Sequence, residues 1–546
     1  MTRRTALLGA LLLAAVALAP AQDRCAGARD LRLVNGKIVT MDQRNSTVSE
    51  LTIQDGRFET VGKGGKPGPC TKTIDLHGRT AVPGLIDNHN HIVLLGLRPG
   101  HDTRLETAGS IEEVQGAFRA RAKNVPPGEF LTAMGGWSPS QFAEKRLPTL
   151  SELDAAAPDH PVIVYQAFTG PAATNTKGKA FFTAKGIAVS DTGAIAANAP
   201  SVAALDALRA AQTLEDQKRG TRDALAYSAR MGVTTSVDMG AFVIPGLPDI
   251  QDSFTFDTLA SADPFRMYDA VLAVRKEQKL ATRLRIFFLS MDTQPDIPML
   301  KERMLNNFSG FGDDMLRVSG IGEFATVWPL FGQVTPPANY TAALQLIAKQ
   351  GWTYQQHSLS LAEDQLVANT FETVNAAAPI ANLHWSIAHV PRIDQATVNR
   401  FKAVGAGIAV HPFAYLNPQA GGPPLRMILD SGIHVGAGSD SAQISTLDPW
   451  LMIYYMVTGK NASGAMANDK QQITRMEALR LYTAANGWFF HEEDRLGSIE
   501  PGKLGDVVVL SDDFLDPRKV SDEGIKKLHS VLTVVDGKVV YDGLGQ

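Results

Sequence analysis

The sequence predicts an α/β protein: a (β/α)8 TIM-like barrel with a small β-sandwich built from both chain ends and a long insertion after the first barrel strand. Three observations predict it. Short β-rich runs with turn dipeptides occupy residues 31–79 and return near the C-terminus. Between them, strand-like runs alternate with helix-like stretches, the pattern of βα units. Histidines and carboxylates recur at the C-terminal ends of those runs, where such a barrel carries its chemistry.

Of the 546 residues, 44% are hydrophobic and 20% charged, enough for one large domain and a smaller one. The net charge is −4 and no Lys/Arg-rich run occurs, which argues against nucleic acid as a partner and leaves a small molecule. "MTRRTALLGALLLAAVALAPAQ" joins a basic start (Arg3, Arg4) to an apolar centre and an Ala19-Pro20-Ala21 cleavage pattern. Residues 1–21 are therefore expected to be a signal peptide, with export to the periplasm or exterior. The "TRRTALL" segment weakly resembles a twin-arginine signal. A retained membrane anchor is the alternative, but the apolar core is short for a span, so no stable span is expected after cleavage. Cys25 and Cys70 are the only cysteines and are expected to form one disulfide in an exported chain, with two structural thiols as the alternative.

The N-terminal sandwich part is assigned to residues 22–82 and the C-terminal part to 491–546. Asn35-Gly36, Asp55-Gly56 and Asp536-Gly537 read as hairpin turns. Two separate β-modules are the other reading. The barrel is assigned to 83–490, with strands in "TAVPGLIDNHNH", "VTTSVDMG", "RLRIFFLSM", "MLRVSGIGEF", "WTYQQHS", "LHWSIAHV", "GIAVHPF" and "IHVGAGSD". The insertion, about 95–220, has strands and helices of its own and is expected to cap the barrel mouth.

In "TAVPGLIDNHNHIV", period-two alternation puts Asp87, His89 and His91 on one strand face, with Asn88 and Asn90 opposite. The other strand ends supply Glu323, His357, His389, His411 and Asp440. A single such histidine reads as a hydrogen-bonded core residue. Several at equivalent ends point to a divalent cation, with Zn²⁺ suiting N/O ligands best and Mn²⁺ or Fe²⁺ as alternatives. His384 reads as structural, His434 should lie at the opposite end of the barrel, and His101 and His160 lack spacing support. Trp450, Tyr454 and Tyr455, at helical spacing, read as packing.

"VPGLIDNHNH", "GVTTSVDMG", "GSDSAQISTLDPW" and "LGSIEPGKLGDVVVL" resemble the amidohydrolase superfamily, specifically its family 3 metal-dependent hydrolases, from about residue 31 to 542. The "GGWSPSQF…LPTLSELDAAAPDHPVIV" insertion resembles the segment that follows the first barrel strand in that family. The resemblance implies metal ligation by His89, His91, His357, His389 and Asp440, with one or two ions. It also implies hydrolysis of an amide or other non-peptide C–N bond by a metal-activated water. Two departures stand out. The bridging lysine of two-metal members falls on Gly322 or Ser319, leaving the neighbouring Glu323 as a bridge, or as a substrate or outer contact with a single metal. His411 stands where the family more often has Gln, as a substrate or metal contact or a polar wall.

Asp440 is then the expected proton carrier, with His389 or His411 steadying an oxyanion. A lactone, ester or phosphoester hydrolase or a decarboxylase on the same site is the alternative, and a non-catalytic exported binding protein a further one. Substrate identity and oligomeric state are left open.

Overall fold

The computed structural model describes residues 25–242, 259, 262–328, 337–441 and 443–545. The signal-peptide assignment at 1–21 lies outside the described residues. No helix among the described residues is long and apolar enough to cross a membrane.

Eight parallel strands form the central sheet: β1 (Leu85–Asn90), β2 (Val233–Asp238), β3 (Arg283–Phe288), β4 (Leu316–Glu323), β5 (Tyr354–Ser358), β6 (Ser386–His389), β7 (Gly407–Val410) and β8 (Val435–Ala437). Each pairs with its neighbour in chain order, as predicted from the eight runs. Both faces are covered, so even polar strand residues such as Asn88, Thr234 and Gln356 are fully buried. Ile86, Val237, Phe287, Ala388 and Ala409 fill the barrel interior, and Trp488, Phe489 and Phe490 from the C-terminal segment pack with them.

The seam between β8 and β1 is closed by a side chain. The Asn486 Nδ2 donates to the carbonyls of Ile86 (2.5 Å) and Ala437 (2.8 Å). Its Oδ1 accepts from Ala437 N at 3.1 Å and Asn88 Nδ2 at 2.9 Å. Just above, Asp440 N donates to His89 O (2.8 Å) and His91 N to Ser441 O (2.7 Å). The backbones approach so closely that a Cβ on Gly438 would stand 2.7 Å from His89 N. Only glycine fits there.

Both chain ends build the smaller β-region. One sheet orders the strands 57–61, 51–54, 31–34 and 72–75; the other runs 538–542, 530–535, 507–510, 80–83, 37–39 and 47–48. Leu33, Ile38, Ile53, Val507 and Leu532 share its core. Asp55-Gly56 and Asp536-Gly537 form two-residue hairpin turns with positive φ at both positions, as predicted. Asn35-Gly36 does not. The strands on either side of it belong to different sheets, so that turn carries the chain across the sandwich. The alternating pattern reads the same in both cases, because a turn dipeptide fixes the local bend but not the partner of the next strand. Cys25 and Cys70 form the expected disulfide.

The insertion contains a five-stranded sheet, ordered 194–195, 172–174, 162–165, 131–134 and 101–102. It meets the barrel mouth at the β8 loop, where Gly136 N donates to Gln443 O (3.0 Å) and Leu447 N to Glu106 Oε1 (2.7 Å). The helix Leu214–Met231 that leads into β2 begins inside the range read as insertion, because Thr213 and Asp216 form a capping box there. Trp450, Tyr454 and Tyr455 are fully buried on the helix Pro449–Thr458, in the packing role expected.

Candidate metal centre

Every strand-end residue singled out in the sequence comes to one place at the C-terminal mouth of the barrel. His89 and His91 converge as the period-two pattern predicts. Asp87 does not join them; its carboxylate accepts from Ser439 N (2.9 Å) and Ser439 Oγ (2.5 Å) and so holds the β8 turn in place.

Two carboxylates organise the donors. Asp440 Oδ1 lies 3.4 Å from His89 Nε2 and 3.2 Å from His91 Nε2. Glu323 Oε2 lies 3.6 Å from His89 Nε2, and Oε1 lies 3.5 Å from His91 Nε2. The same Oε2 stands 2.7 Å from His357 Nδ1 and 3.0 Å from His389 Nε2. Glu323 is therefore common to two donor groups, one with His89 and His91 and one with His357 and His389. His389 and Asp440 both have positive φ (73° and 49°), a sparsely populated backbone region for such residues at the centre of the site.

The donors fit a cation. Ligand atoms held about 2.0–2.1 Å from a tetrahedral zinc stand roughly 3.3 Å from one another. The four contacts of His89 and His91 with Glu323 and Asp440, 3.2–3.6 Å, match that spacing. The Glu323–His357–His389 group is tighter, at hydrogen-bonding distances. His89 Nε2 is buried and makes no hydrogen bond among the described residues. Its Nδ1 is engaged by Gln355 Oε1, and His91 Nδ1 by Gly240 O at 2.7 Å. A histidine that donates from Nδ1 leaves the Nε2 lone pair for a metal, and outer partners of this kind fix ring orientation.

Electrostatics agree. Burial works against ionisation of Asp440, but the adjacent imidazoles of His89 and His91 outweigh it and hold the carboxyl well below its ordinary range. Glu323 is lowered in the same way: burial opposes, and His357, then His389 and His91, prevail. Burial pulls His91 down, yet Asp440 and Glu323 raise it on balance. That negative field is the one a divalent cation would meet, displacing protons from imidazoles as it binds. Burial, then the neighbouring His357, depresses His389 to about 4, a neutral ring suited to ligation.

A cavity of about 200 Å³ opens above the donors. His91, Glu323, His357 and Asp440 form its floor, and Phe168 of the insertion reaches its rim. His389 and His411 do not line it. His411 Nδ1 lies 2.8 Å from His389 Nδ1, and burial followed by His89 and His389 holds its ring neutral. The expectation that either ring touches an oxyanion is thus corrected: both stand a layer deeper, His411 behind His389. His384 and His434 stack on Trp488, away from this mouth, as expected. His101 is paired with Glu129 inside the insertion, and His160 Nδ1 donates to the same residue at Glu129 O (3.1 Å).

Sequence reasoning missed several contributors. Gln355 precedes His357 by two on one strand, a spacing that puts both side chains on one face, and that signal was available. Asp238, at the end of β2, binds Val93 N (3.0 Å) and Gly240 N (3.1 Å); burial pushes its carboxyl up to about 6. It steadies the turn that carries Gly240, the partner of His91.

A profile of the amidohydrolase family matches residues 72–541. The N-substituted formamide deformylase of Arthrobacter pascens is 23% identical over 553 residues, 95% of this chain and 99% of its own. An uncharacterized metal-dependent hydrolase from Pyrococcus horikoshii superposes with a TM-score of 0.58 at 18% identity, covering 89% of this chain and 98% of that one. The zinc complex of atrazine chlorohydrolase TrzN from Arthrobacter aurescens superposes with a TM-score of 0.54 at 16% identity, over 94% and 95%. At those identities the two structures speak for the fold. The family match, spanning the barrel, the insertion and most of the C-terminal sandwich part, is broader, and this chain belongs to the amidohydrolase family of metal-dependent hydrolases.

Proposed function

We propose that this chain cleaves an amide or other non-peptide carbon–nitrogen bond of a small molecule, with zinc as its cation. The observation that carries the reading is Asp440: a carboxylate lining a cavity, 3.2 and 3.4 Å from the Nε2 atoms of His91 and His89, whose Nδ1 atoms are engaged by Gly240 and Gln355. The likeness to the N-substituted formamide deformylase of Arthrobacter pascens and the zinc in the TrzN structure support the bond type and the metal.

His89, His91, Glu323 and Asp440 would hold one cation, and Glu323, His357 and His389 a second. When bound, such a cation polarises a carbonyl oxygen and acidifies water. Asp440 accepts the proton of the attacking water and returns it to the leaving nitrogen, since its carboxylate is ionised at neutral pH and borders the cavity. Gln355 and Gly240 keep the imidazoles of His89 and His91 aimed. His411 positions His389.

Asp440→Asn tests the reading. Turnover is expected to fall by about 10²–10⁴-fold with most of the metal retained, read by amide hydrolysis and elemental analysis of the same preparation. Activity like that of the unaltered chain would remove the mechanism. A parallel panel of lactone, ester and phosphotriester substrates separates other bond types, and metal well below one ion per chain would favour a binding protein. We also propose export; the disulfide between Cys25 and Cys70 supports it.

A further inference from the structure

The walls of the cavity are as informative as its floor. Phe242, Phe324 and Phe413 line it from the loops after β2, β4 and β7, Phe168 closes it from the insertion, and Leu359 and Ile444 complete the apolar surface. The aromatic rings are locked against one another and against the centre. Phe324 stacks on His357 (centroids 4.9 Å apart, 28° between planes) and meets Phe242 edge-on at 5.7 Å. Phe413 packs 4.9 Å from His389. No Lys or Arg occurs among the described lining residues, and the carboxylates present are Glu323 and Asp440.

We infer that the substrate is an uncharged amide bearing a flat aromatic group, and that Phe168 sets this preference. The inference rests on the hydrolase reading for the bond, but the recognition lies in the walls. An aromatic ring gains burial and edge or stacking contacts with the phenylalanines. A carboxylate or phosphate on the far side of that ring, away from the donors, would lie among phenylalanines with no lysine or arginine of the described lining beside it, and a buried unpaired charge is costly.

The test compares N-phenylacetamide and N-methylbenzamide, which put the ring on either side of the bond, with their para-carboxylates and with N-methylacetamide, using the zinc-loaded full chain. The better phenyl amide is expected to exceed its carboxylate by at least about 100-fold in kcat/KM. Phe168→Ala, at a partly exposed loop position, is expected to cut the phenyl-over-methyl preference by roughly 5–10-fold, through KM rather than kcat. Equal turnover of the carboxylate, or an unchanged preference in Phe168→Ala, overturns the inference. Should none of these amides be hydrolysed, calorimetric binding decides. Tighter binding of the phenyl amide than of its carboxylate, weakened by Phe168→Ala, keeps the recognition and removes only the bond assignment. No such difference removes the recognition.

Discussion

Glu323 divides its carboxylate between two groups, with Oε2 2.7 Å from His357 Nδ1 and Oε1 3.5 Å from His91 Nε2. A charged side chain at the end of β4 thereby occupies the place between both donor sets. Replacing it by an isosteric amide keeps the shape and removes one full negative charge. Glu323→Gln is expected to lower bound zinc by about one ion per chain and activity by at least about 100-fold, the scale of losing a directly engaged charged group. Elemental analysis after dialysis checks it; unchanged metal content would place Glu323 outside the coordination shell.

Gln355 holds the Nδ1 of His89 from inside the barrel. Gln355→Leu removes that acceptor and frees the imidazole to change tautomer and rotate. Zinc affinity is expected to weaken by about 10–100-fold, the usual scale for losing an outer partner of a ligand. Competition with a chromogenic chelator measures it, and circular dichroism should remain that of the unaltered chain.

Asn486 makes four hydrogen bonds across the seam between β1 and β8. Asn486→Ala leaves two carbonyls, one N–H and the Asn88 amide without this partner. The expected loss is about 3 kcal/mol or more, given roughly 1 kcal/mol per lost bond and more where a buried group is left unpaired. A lower urea midpoint measures the loss, and a variant as stable as the parent would show the seam closed by other means.

Asp448 caps the helix Pro449–Thr458 by accepting from Trp450 N at 2.9 Å. Burial, then the neighbouring Glu106, pushes its carboxyl from 3.8 up to about 8. The folded chain therefore holds a proton that the unfolded chain has released, so this contribution is complete at acid pH and is lost as pH rises from about 4 to about 8. The slope from one such group is at most about 1.4 kcal/mol per pH unit. Asp448→Asn keeps a good cap and removes the titration. Urea melts at several pH values should show the variant gaining on the parent with rising pH; parallel curves would contradict the assignment.

The barrel and its mouth were legible because both rest on local patterns. Eight runs of strand length and a ligand type at the ends of six of them need no knowledge of distant contacts. Glu323 was ambiguous for the opposite reason: which residue near a strand end faces inward depends on where β4 stops, and Gly322 lies one place away. His411 was placed at the right mouth with its contact left open between substrate, metal and wall, since its depth is set by His389, a residue 22 positions back. Asn35-Gly36 was misread because sheet membership is decided by partners at residues 51–53 and 80–81. The aromatic wall escaped notice altogether. Phenylalanines in four separate loops carry no shared period, and only folding brings them together.

The amide that joins the first and last staves sits at position 486, downstream of every candidate ligand from His89 to Asp440. A ribosome therefore delivers all the metal-binding groups before it delivers the clasp that holds their ring shut. A fragment ending before that asparagine would own the full set of donors yet lack these four bonds across the seam.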